Sequence, residues 1–377
     1  MRLSAVIALV IVASASAEDV AAEDVAAEDV AALLDPIREQ HGLPALAAAS
    51  IVGGKMLDAG ACGLRRIGGT ERATLDDQWH LGSCTKSMTS SVAAMLVERG
   101  TLRWDATAGE IFPKMETMNA AWRSVTLEQL LSHRAGAPHE PPPPLWAQAW
   151  MRRGSPREQR MEFVRGLLQT PPDPPAGTKF VYSNQGYSIA GAMIERATDK
   201  PWETLMRELL FRPLAMTSAG FGAAGTAGKE DQPWGHHRRG SSWEPVPPGP
   251  DADNPPATGP GGIVHMSIGD FARYAAWHAD EARRDGKLIK AESFQKLHTA
   301  AEGQDYALGW NVTKRPWAGG RVLTHSGSNT MNLAVMWVAP ERDFAVVAAT
   351  NAAGPDAEKG CDEAVAMLIR RWEAGRR

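Results

Sequence analysis

The strand-forming stretches of this chain lie at its two ends, and that distribution constrains the fold more than any other feature. Near the N-terminus, residues 45–52 and 55–61 are β-type runs separated by Gly53-Gly54, a pattern that predicts two strands joined by a tight turn. Near the C-terminus, residues 333–338 and 344–350 flank Pro340-Glu341-Arg342-Asp343 and predict an antiparallel hairpin. The first run is apolar enough to be covered on both faces. Helical periodicity dominates between these ends. The expectation is an α/β (α+β) fold, with an antiparallel sheet built from both chain ends, flanked by terminal helices, and a mainly helical subdomain inserted between.

Helices are expected where apolar residues recur on one face. Leu33, Leu34, Ile37 and His41 form such a set before Gly42, and Met88, Val92, Met95 and Leu96 form another that Gly100 stops. Residues 187–197, 201–210 and 268–279 read as further helices, and Val365, Leu368, Ile369 and Trp372 give a final amphipathic one. The proline clusters at 141–144, 171–175 and 245–256 predict surface loops, because proline is excluded from helix interiors and central strands.

The first residues suggest export. Arg2, a short apolar stretch over 3–13 and Ala15-Ser16-Ala17 predict a signal peptide over residues 1–17, too short to span a bilayer, so the mature chain is expected in the periplasm or outside with no transmembrane segment. Ala-Glu-Asp-Val-Ala then occurs three times in succession, and residues 18–32 are expected to be a solvated acidic tail. Residues 33–377 remain as one large domain, with a sheet part over 33–82 and 262–377 and a helical part over 83–261. A net charge of −4 with no clustered Lys/Arg run argues against nucleic acid as a partner. No Cys/His spacing resembles a metal site and no cofactor is implied. Of the three cysteines, Cys84 reads as helix packing, and a Cys62–Cys361 disulfide is left open.

Chemistry enters with Ser83-Cys84-Thr85-Lys86. A serine and a lysine three residues apart at the start of a helix share one face, one turn apart, although a serine there is more commonly just a helix cap. Two later segments change the balance: Tyr182-Ser183-Asn184 and His325-Ser326-Gly327. The ordered set resembles the serine β-lactamase and penicillin-binding-protein superfamily, in its class C β-lactamase-like branch with D-Ala-D-Ala carboxypeptidases and esterases. The run Leu130-Leu131-Ser132-His133-Arg134-Ala135-Gly136, Gly261-Gly262 and Gly309-Trp310 resemble framework segments of the same branch.

The resemblance implies roles. Ser83 would be the nucleophile, with Lys86 or Tyr182 as the base that takes its proton. Asn184 would bond the lysine and a substrate amide, and His325 would face the cleft and donate toward Tyr182 or a substrate carboxylate. The backbone N–H groups of Ser83 and Ser328 would form an oxyanion hole, and Gly327 would leave room for substrate lying along the strand. His80 and His133 are read as structural. His325, where many relatives carry lysine, shifts the expectation from β-lactams to esters and D-amino-acid peptides, small molecules or peptides that include cell-wall fragments. The alternatives are a sensor that is acylated but turns over slowly, or a true β-lactamase. A Ser-His-Asp hydrolase is disfavoured because no Gly-x-Ser-x-Gly elbow exists.

Overall fold

The computed structural model describes residues 27–240, 242–280 and 288–376. The signal-peptide reading and the first two acidic repeats lie outside these residues. In chain order the N-terminal part contains β1 (Glu28–Asp29), α1 (Ala31–Gln40), β2 (Ala45–Val52), β3 (Lys55–Gly63) and β4 (Gln78–His80). A 3-10 turn, Gly82–Cys84, runs into α2 (Thr85–Glu98). The middle holds α3 (Ala108–Ile111), α4 (Leu127–Leu131), α5 (Pro143–Trp150), α6 (Pro156–Leu167), α7 (Asn184–Thr198) and α8 (Trp202–Leu205). Next come β5 (Gly220–Phe221), β6 (Gly235–Arg239), β7 (Ser242–Val246), a 3-10 turn at Pro256–Gly261 and β8 (Val264–Ser267). The chain ends with α9 (Ile268–Asp280), α10 (Ala291–His298), β9 (Asn311–Arg315), β10 (Gly320–Ser328), β11 (Leu333–Ala339), β12 (Phe344–Thr350) and α11 (Pro355–Ala374).

The main sheet has the order β1-β3-β2-β12-β11-β10-β9, so the two ends of the chain meet where β2 pairs with β12. Period-two alternation sends Ala45, Ala47, Ala49 and Ile51 of β2 into one core and Leu46 and Ala48 into the other. The first core packs against α2, α9 and the helical subdomain, and the second against α1 and α11. Gly53 and Gly54 both take positive φ in the turn between β2 and β3.

Two expectations need correction. The acidic tail does not extend to residue 32. Glu28–Asp29 pairs parallel to β3, Val30 is fully buried in the second core, and Asp29 Oδ1 accepts the Ala31 N–H at 2.9 Å. Glu28 also pairs with Arg371 at 2.8 Å, so strand pairing, one apolar anchor and one ion pair bind the third repeat to the fold.

The proline clusters are not all loops. Pro143 starts α5, where its missing N–H costs nothing, and Pro245 sits in the two-stranded β6–β7 ribbon opposite His236. The Cys62–Cys361 pairing that the sequence left open is not made: Cys62, Cys84 and Cys361 are all free thiols.

The helical subdomain is cross-linked by Arg160 of α6, which is buried and bonds Glu195 of α7 and, at 2.6 Å, Glu203 of α8. Its second amine also donates to Pro256 O at 3.2 Å, tying these helices to the Pro256–Gly261 turn.

Candidate active site

Ser83 stands in the Gly82–Cys84 turn, and that turn lies directly against β10. A Cβ on Gly327 would come within 2.1 Å of Leu81 O and 2.3 Å of Ser83 N. One on Gly82, at φ +49°, would come within 2.3 Å of Ser328 N. Gly327 is therefore required by backbone-to-backbone approach to the turn carrying Ser83. The same approach brings the Ser83 and Ser328 amides to one place.

Lys86 is fully buried on the first turn of α2. Its Nζ reaches Ser83 Oγ at 3.0 Å, Asn184 Oδ1 at 2.6 Å and Gly261 O at 2.7 Å. Burial pushes its amine down to about 7, so neutral and charged forms coexist near neutral pH. The Nζ also lies 4.8 Å from the Tyr182 ring centroid. The Tyr182 hydroxyl bonds Ser83, and burial holds the phenol above its ordinary range, so it is protonated at pH 7.

Each motif is held by a residue whose own sequence context says little. Ser183 caps α7, accepting the Gly186 N–H at 3.1 Å and donating to Pro138 O at 2.6 Å, which presents Asn184 at the helix start. His133, in the left-handed region at φ +59°, accepts the Ser183 N–H at 3.1 Å and packs 4.4 Å from the Tyr182 ring. His80 Nδ1 accepts the Gly82 N–H at 3.2 Å, which leaves its Nε2–H for Asp253 Oδ2 at 2.9 Å. The two histidines read as structural thus brace the first and second motifs, while Asp253 carries no sequence signature and Gly261, read only as part of a framework segment, supplies a carbonyl to Lys86.

His325 departs from expectation. It is buried rather than facing the cleft, and its Nε2 lies 3.2 Å from the hydroxyl of Tyr306, a residue that sequence reasoning missed. Its ring centroid is 6.5 Å from that of Tyr182, and its Nδ1 is 2.6 Å from Ser326 O. Burial, reinforced by the Lys86 charge, pushes it down to about 3, so it is neutral at physiological pH and offers no positive charge to a substrate carboxylate. Four aromatic tyrosine and histidine rings around His133 make this wall: Tyr182, Tyr187 and Tyr306 touch it, and His325 touches Tyr306. Only the fold could reveal it, because Tyr306 lies more than a hundred residues from Tyr182.

Ser83 opens onto a cleft of about 320 Å³ bordered by Asn184, Gln185, Ser328, Trp146 and the rim residue Glu140. No lysine or arginine is among the described residues that line it. No cluster of His, Cys, Asp or Glu among the described residues is placed to hold a metal ion, and no helix among them is long and apolar enough to cross a membrane.

The family model for beta-lactamase matches residues 30–368, nearly the whole described chain. The chain belongs to the beta-lactamase family. Among curated relatives of this beta-lactamase-family chain, penicillin-binding protein 4 of Amycolatopsis lactamdurans is 24% identical over 339 residues, covering 84% of this chain and 83% of that protein. An unguisins hydrolase of Aspergillus campestris is 26% identical over 329 residues, covering 82% of this chain but only 58% of that longer protein. The D-amino acid amidase of Ochrobactrum anthropi SV3 shares the fold, with a TM-score of 0.72 at 20% identity over 92% of this chain and 98% of that one. The antiparallel sheet with its inserted helical part is thus the family's architecture, and the related proteins with named activities are hydrolases.

Proposed function

We propose that this beta-lactamase-family chain is an exported serine hydrolase that acts through an acyl-serine on esters and D-amino-acid amides or peptides. The Lys86 environment carries the reading. Asn184 Oδ1 and Gly261 O can only accept, so a neutral Lys86 amine spends both N–H bonds on them and turns its lone pair to Ser83 Oγ. Ser83 Oγ attacks the acyl carbon as its proton passes to Lys86 Nζ, and the amides of Ser83 and Ser328 receive the developing oxyanion. Tyr182, protonated and bonded to Ser83, hands its proton to the leaving group and regains one from Lys86. Water then cleaves the acyl-serine by the reverse route. The apolar stretch and small-residue site in residues 1–17 support export.

The cleft favours neutral or cationic substrates. A C-terminal D-Ala-D-Ala peptide and a β-lactam both present a carboxylate, yet the lining offers no cation and the buried His325 is neutral. Glu140 at the rim, beside His139, suits an ammonium instead.

The reading is tested by incubating the protein with a fluorescent penicillin and with p-nitrophenyl acetate, mapping adducts by mass spectrometry, and comparing turnover of the ester with that of nitrocefin. An adduct on the Ser83 peptide, absent from Ser83→Ala, with sustained ester turnover is expected. No adduct with either reagent would sink the mechanism, labelling without turnover would make the protein a slow sensor, and fastest turnover on nitrocefin would make it a β-lactamase.

Tyr182→Phe separates the two proton-handling groups. With Lys86 as base, the variant should lose roughly 10²-fold on D-amino-acid amides, whose amine must be protonated to leave, and little on p-nitrophenyl esters. Equal loss on both substrates in steady-state assays would place the base role on Tyr182.

A further inference from the structure

A chain of buried hydrogen bonds leads from the turn carrying Ser83 through α9 to α10, and its direction follows from the groups themselves. Ser87 Oγ donates to Cys84 O at 2.8 Å, so its hydrogen is committed. Tyr274 of α9 must then donate to Ser87 Oγ, at 2.9 Å. Ser91 Oγ donates to Ser87 O at 2.9 Å and is committed too. His278 Nε2 faces Tyr274 Oη at 3.0 Å and Ser91 Oγ at 3.3 Å, both left only as acceptors, so it carries the hydrogen. Neutral His278 consequently accepts at Nδ1, and His298 Nε2, 2.8 Å away, must be the donor. All five side chains are buried, and His298 Nδ1, the far end, has no partner.

The bonds from His298 through His278, Tyr274 and Ser87 all point one way and end on the carbonyl of Cys84, the residue after Ser83, while Ser91 is a side branch whose own hydrogen goes to Ser87 O. The bland account is a polar network that only stabilises the core. Against it stands the end point of the main branch, whose last donor goes to the Cys84 carbonyl at the junction of the turn carrying Ser83 with α2.

We propose that Tyr274 and His278 are positioning residues for acylation, holding the Cys84 carbonyl and so the backbone of the Ser83 turn in its reactive geometry. This rests on the acyl-serine reading above. Tyr274→Phe and Ser87→Ala cut the same chain, so each should lower kcat for ester hydrolysis about tenfold, with KM changed less than about twofold. The double variant should fall no further than the worse single one. Tyr274→Phe turning over at the wild-type rate, or losses that multiply in the double variant, would overturn the proposal. Nitrogen-15 NMR of the imidazoles in the wild-type protein gives a test independent of activity: both His278 and His298 are expected as neutral Nε2–H tautomers, and Nδ1–H on His278 would break the chain. A wild-type protein with no Ser83 adduct would instead defeat the acyl-serine reading, and the tautomers would still decide whether the chain exists.

Discussion

Lys86→Met lowers acylation of Ser83 by roughly 10³-fold or more while the chain still folds. Methionine fills the same buried volume, so the loss is chemical: Ser83 keeps its place but has no lone pair to take its proton. The wild-type pH profile carries the same signature. Lys86 acts only when neutral, so kcat/KM should rise with pH through about 7 and level above it, and Lys86→Met should lose that limb. Stability follows the same sign. The folded-state lysine sits far below its ordinary range, so between about 7 and that range the unfolded chain binds more protons and stability rises with pH. A stopped-flow acylation profile that is flat across neutrality, or a methionine variant within tenfold of wild type, would remove Lys86 from the base role.

Arg160→Met is the largest expected loss of stability. Arg160 neutralises Glu195 and Glu203 inside the helical subdomain, and its removal leaves two carboxylates close together, one of them fully enclosed. Breaking a buried pair in this way costs about 3–5 kcal/mol. Burial already holds the Glu195 carboxyl above its ordinary range, and without the guanidinium it should rise further. A carboxyl raised in the folded state binds more protons there than in the unfolded chain, so the variant should be less impaired at pH 5 than at pH 8. Urea unfolding at the two pH values checks both statements. Loss below about 1 kcal/mol at pH 8 would mean that the two glutamates are relieved by other groups or by solvent. Because Arg160 also holds the Pro256–Gly261 turn, the surviving folded variant should show weaker acylation through the Gly261 carbonyl on Lys86.

Local pattern made the sheet readable. The runs at 45–52 and 344–350 alternate between two covered faces, and Gly53-Gly54 permits only a tight reversal, so neither strand needed long-range information. The third acidic repeat was not readable in this way, since Glu28 and Val30 are held by pairing with β3, by Arg371 and by the second core, partners that no local pattern announces. The β6–β7 ribbon was hidden for the converse reason: Pro245 argues against a strand until its partner is known to be a single edge.

The proposed reacting groups were legible in the sequence. Ser83 and Lys86 are one helical turn apart, and Tyr182 and Asn184 are fixed around a helix cap, so short-range geometry alone brings each pair near its final relation. What the sequence could not determine is how closely those segments approach and what surrounds them. The contact of Gly82 with Gly327, the Gly261 carbonyl on Lys86 and the burial of His325 behind Tyr306 join residues far apart in the chain. Burial is a property of the packed whole, and it is burial that brings the Lys86 amine to about 7 and strips His325 of charge. The proposed nucleophile was therefore written in four residues, whereas the basicity of Lys86 and the charge state of His325 were decided only when the two ends of the chain closed around them.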